Sequence, residues 1–144
     1  MAIRKQVQRD AINRAVGERQ VFIKTITAAA NAGVTTVGTV TDNPVIIESA
    51  VIHANAAQTA DMTSCGLFGG GSQVVTIISA ATAVQASLDA TDKQVSTGLD
   101  GNKGPWRLAA TKTVAINLAG TGATAVNLTV IITYYATVAG GYIV

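Results

Sequence analysis

This chain is poor in charge. Only 12% of its 144 residues are Asp, Glu, Lys or Arg, while 49% are hydrophobic. That imbalance excludes a disordered chain, which needs high charge and few apolar residues. It also leaves the exterior short of ions, since a free-standing surface carries about a quarter to a third charged residues. Much of the surface is therefore expected to lie against other subunits. Aromatic residues are scarce too, at 4%. The apolar share comes mainly from Ala, Val and Ile. That favours two thin β-sheets packed face to face over a Leu-rich helical bundle.

Reactive side chains are just as sparse. Cys65 is the single cysteine, which excludes an internal disulfide and a cysteine metal site. His53 is the single histidine. Glu48 lies at an odd offset from it, so in one regular strand the two would point to opposite faces. Without two further ligands His53 makes no zinc site, and without a nucleophile it makes no catalytic relay. Gly69-Gly70-Gly71 lacks the Gly-Lys-Ser/Thr ending of a phosphate loop. Neither Asp89 with Asp92 nor Asp100 with Asn102 fits a twelve-residue calcium loop. No catalytic residue, metal or cofactor is expected. An enzyme would require carboxylates from distant strands to reach His53.

Long apolar runs are missing as well. The best, Val126 to Val138, is interrupted by Asn127, Thr129, Thr133 and Thr137, so no span of about 20 apolar residues exists. The opening Met-Ala-Ile-Arg-Lys-Gln lacks a secretory apolar stretch. The expectation is a protein made in a reducing cytoplasm, with no membrane partner.

The charge that is present is unevenly placed. Residues 1–24 hold Arg4, Lys5, Arg9, Arg14, Arg19 and Lys24 against Asp10 and Glu18, a surplus of +4. The rest of the chain has four bases and six acids, a deficit of −2. Residues 1–20 therefore read as a basic arm, extended or a short helix. Ile3, Val7, Ala11 or Ile12, and Val16 fall at helical spacing before Gly17. Such an arm seeks an acidic partner. Nucleic acid is not expected, because no aromatics interleave the bases and the body adds little positive charge.

Residues 21–144 read as one all-β domain. Strands are predicted over Val21–Ala28, Val34–Thr41, Val45–Ala57, Val74–Ala80, Thr82–Ser87 and Gln94–Leu99. Turns fall at Thr41–Pro44, Asp89–Asp92 and Asp100–Pro105, and a glycine-rich bend at Cys65–Ser72. Val114, Ile116 and Leu118 alternate with polar residues. Past Gly120-Thr121-Gly122, Val126, Leu128, Val130, Ile132 and Tyr134 do the same. This pattern predicts a terminal antiparallel hairpin with one buried face. About eight strands in all give an antiparallel β-sandwich or jelly roll.

Trp106, Tyr135 and Tyr142 are the interface candidates, since exposed aromatics make assembly hot spots or sugar platforms. The whole-chain character resembles the capsid decoration, or cement, proteins of tailed bacteriophages. It is carried by the arm Met1–Gln20, the Ala/Thr/Val-rich strands, the bend Gly66–Gly71 and the tail Ala139-Gly140-Gly141-Tyr142-Ile143-Val144. The resemblance implies a jelly-roll body that forms dimers or trimers on the outside of an icosahedral head. There it would clamp neighbouring major capsid subunits, with Arg4, Lys5, Arg9, Arg14 and Arg19 as the capsid-contact candidates. The alternative is a tail-fibre or surface glycan-binding module using Trp106.

Overall fold

The computed structural model describes residues 17–27, 33–58, 62–70, 73–99, 104–120 and 126–144. The predicted helix over residues 3–16, with Arg4, Lys5, Arg9 and Arg14, lies outside them. Among the described residues the chain is all-β: β1 (Arg19–Thr27), β2 (Gly33–Thr41), β3 (Val45–Ala54), β4 (Met62–Gly69), β5 (Val75–Ile78), β6 (Gln94–Ser96), β7 (Trp106–Leu108), β8 (Thr113–Gly120), β9 (Asn127–Ala136) and β10 (Tyr142–Ile143). Arg19 and Gln20, read as the end of the arm, open the first strand.

Two antiparallel sheets form the expected sandwich. The first has the order β1-β9-β3-β6, and β7 shares the same edge of β3 as β6. The second has the order β10-β2-β8-β4-β5. Strict alternation builds the core between them. In β9, Leu128, Val130, Ile132, Tyr134 and Ala136 are buried and the residues between them are not. Val45, Ile47, Ala50, Ile52 and Ala54 of β3 line the same interior. Val114, Ile116 and Leu118 of β8 face them from the second sheet. β-branched residues suit these pleated inner faces because their stiff side chains pack on neighbouring strands at little entropic cost.

Three local readings are corrected, and two short strands are added. The terminal hairpin does not exist: β8 pairs with β2 and β4, whereas β9 pairs with β1 and β3. Both strands bury one face, as alternation requires, but they do so from opposite sheets. Period two reports which side chains point inward and is silent about which strand is the neighbour. The glycine-rich bend is mostly strand β4, paired on both edges, because Gly66 and Gly69 make room for Phe68 and Leu108. Thr82–Ser87 is not a strand but one isolated bridge at Val84 and a short 3-10 turn at Gln85–Ser87. Strands β7 and β10 escaped notice, being too short for any period to show.

One end of the sandwich is stitched by the chain's last turn. Asn43 Nδ2 donates to Ala139 O at 2.9 Å, and the backbone N–H of Thr137 donates to Pro44 O at 3.1 Å. Near the other end Gln58 is buried, with its Nε2 donating to Ala56 O at 2.8 Å and to Asn127 O at 3.4 Å, while its backbone carbonyl accepts from Gln85 Nε2 at 2.6 Å. A buried amide is tolerated there because its polar atoms are spoken for.

Candidate interaction surface

The outer face of the first sheet is a grid whose rows follow from strand register. The end row runs Arg19, Tyr135, Ile46, Arg107, since Arg19 and Ile46 both lie opposite Tyr135 and Arg107 lies opposite Ile46. The next runs Val21, Thr133, Ser49, and the third Ile23, Ile131, Val51, Ser96. The fourth is Thr25, Thr129, His53, Gln94. The two middle rows contain no charge. Val21 is 58% exposed and Ile23 is 61% exposed, although both are large and apolar. Such a patch on an ion-poor face is what a contact surface requires.

Charge is confined to the borders of this grid. At the arm end Arg19 Nε donates to Glu48 Oε2 at 2.6 Å, and its Nη2 to Oε1 at 3.3 Å. A bulge in β3 makes this possible. The register slips between Ile47 and Ser49, leaving Glu48 as the extra residue on the outer side. The bulge also overturns the expectation that Glu48 and His53 face opposite ways: both flank the outer face. The hydrogen bond with Arg19 holds the Glu48 carboxyl below its ordinary pKa and raises that of the guanidinium. The pair fixes the direction of Arg19 more than it stabilises the fold, because both groups are solvated.

At the far border His53 Nδ1 lies 3.2 Å from Asn55 Oδ1, and its Nε2 lies 3.4 Å from Asp92 Oδ1. Asn55 in turn accepts from Thr129 Oγ1 at 3.0 Å and donates to Asn127 Oδ1 at 2.9 Å. These contacts lock the ring into a polar row. None of them brings a nucleophile to the imidazole. Cys65 is buried in the core, and burial pushes its thiol up to about 12, which leaves it protonated and unreactive. Among the described residues no group of three His, Cys, Asp or Glu gathers to hold a metal. No helix among them is long and apolar enough to cross a membrane.

The aromatic candidates are not brought together. Tyr135 lies half-buried on the outer face, opposite Ile46. Trp106 lies opposite buried Ile47 and packs against the core from the inner side. Tyr142 is on β10, at an edge of the second sheet, and also packs against the core. Alternation could have separated Trp106 from Tyr135 only if the register of β7 were known. The sequence reading missed Val21, Ile23 and Glu48. The first two were visible as apolar residues in a strand, but nothing marked their face as outward.

Comparison with solved structures places this architecture. The fold is that of chains found in three phage capsids. One, from the acidic stable capsid of Helicobacter pylori bacteriophage KHP30, matches with a TM-score of 0.56 at 10% identity, over 90% of this chain and 95% of that one. A second, from the cyanophage Pam1 capsid asymmetric unit, gives 0.52 at 22% identity, over 84% and 86%. A third, from the capsid of Ralstonia phage GP4, gives 0.55 at 16% identity, over 85% and 86%. No family model matches the sequence, and no curated protein does either. At these identities the likeness is one of backbone path, spanning nearly the whole length of each chain.

Proposed function

We propose that this chain is a non-enzymatic structural protein of a phage virion, bound to the outside of the icosahedral capsid, where it cements neighbouring major capsid subunits. The observation that carries this reading is the outer face of the first sheet. It presents uncharged middle rows, β-branched except at Ser49 and Ser96, beside the point where the chain enters the body, on a fold that spans chains of three phage capsids nearly end to end. The arm joins the body at Gly17, whose N–H donates to Ala136 O at 3.1 Å, next to the row bearing Arg19, Tyr135 and Arg107. Arg19 and Arg107 thus lie in one row at the end of the body where Gly17 enters it.

Packaged DNA pushes outward on a thin shell. A protein that spans the seam between subunits adds buried area there, and weak contacts at two places act together through a high effective concentration. The arm supplies one contact, to an acidic strip, and the apolar rows supply the other. The glycan-binding alternative needs an aromatic platform, and Trp106 and Tyr135 on opposite faces do not form one.

Deletion of residues 2–18 tests the reading. The truncated body is expected to keep its β-sheet circular dichroism yet fail to co-sediment with capsids that bind the full chain. Full binding without the arm would overturn the proposed contact.

A further inference from the structure

The edges of the two sheets are not alike. At the open ends of the second sheet, β10 has two residues and β5 four. In the first sheet, β6 and β7 have three each. The opposite edge is β1, nine residues paired without a break to β9, and among the described residues nothing pairs with its other side. Every second N–H and C=O of such a strand points outward and is free to join another strand. It has neither proline nor bulge to prevent this.

We infer that β1 is a self-association edge, pairing antiparallel with β1 of a second copy about a two-fold axis at Ile23. Ile23 is the middle residue of Arg19–Thr27, so this register is the one that pairs all nine residues. It also suits the charges. Arg19 meets Thr27 of the second copy, and Val21 meets its Thr25. Lys24, an exposed member of the inward-facing set, meets the ring of Phe22, a favourable placement for a cation. An axis one residue further on would set two Lys24 ammoniums against each other. The outer face supplies an independent argument. The most apolar row, Ile23, Ile131 and Val51, crosses the axis and continues into its own copy, giving six apolar side chains in line. The two first sheets become one continuous sheet with one belt, and each copy's arm leaves from an opposite end. Association of this kind stands whether or not the chain binds a capsid.

Disulfide trapping of the full chain reads the register directly. Residues facing each other in an antiparallel pair have Cα atoms about 4.5–5.5 Å apart, within disulfide range. Residues four positions off the pairing are roughly 13 Å apart. Mild oxidation of Ile23→Cys is expected to give a covalent dimer. Val21→Cys and Thr25→Cys are each expected to stay uncrosslinked alone and to crosslink when mixed. The native Cys65 is buried and does not interfere. Light scattering on the unaltered protein is expected to give twice 14.6 kDa. A monomer or trimer by mass, no Ile23→Cys dimer, or equal crosslinking at all three positions would overturn the inference. Capsid binding is scored in a separate sedimentation assay, so either reading can fail alone.

Discussion

The hydroxyl of Tyr134 ties three strands together from inside the core. It donates to Gln20 Oε1 at 3.1 Å and accepts from the backbone N–H of Ile143 at 3.2 Å. Tyr134→Phe leaves that N–H buried without a partner, so it is expected to cost about 1–3 kcal/mol by chemical denaturation, more than its lost area warrants. Cys65 gives a pH signature. Its folded pKa is raised above the ordinary value of 9.0 to about 12. A raised value means the contribution is intact below the unfolded pKa and is lost as pH climbs toward the folded one. The window is therefore about pH 9 to 12. Within it the native protein should lose stability with pH more steeply than Cys65→Ala, by up to about 1.4 kcal/mol per pH unit. Thermal melts of both proteins across that range check the slope.

At the scale of elements, the turn after β9 sits where backbone meets backbone. A Cβ on Gly141 would lie 2.7 Å from Asn43 O and 3.0 Å from Pro44 O. Gly66 differs, since the nearest atoms a Cβ there would meet belong to the ring of Phe68, at 2.5 Å, with the backbone Ala80 N further off at 3.1 Å. Backbone cannot swing aside as a side chain does. Gly141→Ala is expected to destabilise by about 1–3 kcal/mol, and Gly66→Ala by less. Urea midpoints rank the two. What could be read from the sequence also divides at this scale. Alternation in β9 and β8 named residues that are buried, Val114, Ile116 and Leu118 in β8 and Leu128 to Tyr134 at every second position in β9, but missed Ala115 and Ala136. The same alternation misassigned their partners, because nearly every connection crosses between sheets and only β4 and β5 pair as sequence neighbours. A crossing and a hairpin look alike when the turn carries the same glycines. The bulge at Glu48 was illegible for a related reason. It inserts one residue into a strand whose composition does not change, and it reverses the relation of Glu48 to His53.

For the whole molecule, scarcity of charge was the most informative property of the sequence, and the structure gives it a location. Ions sit at the borders of the first sheet while the middle rows show Val21, Ile23, Ile131 and Val51. Val51→Asp would place a carboxylate inside that belt, two strands away from the β1 edge. It is expected to lower the melting temperature only slightly, since the side chain is outside the core, yet to reduce shell binding at least tenfold. Differential scanning fluorimetry and sedimentation with shells separate the two effects. The candidate site was thus half legible. Arg19 could be picked out by counting charge, although it belongs to β1 and not to an arm. The apolar rows could not, because a surface row is assembled from four strands far apart in sequence.

The central claim is a position on the outside of a shell, and a cryo-electron microscopy reconstruction of the particle that carries this chain tests it most directly. The account predicts density for the sandwich on the external surface, over seams between capsid subunits, with the Val21–Ile23 rows turned toward a neighbouring chain. A reconstruction with the chain inside the shell, in the tail, or absent from the particle would contradict it.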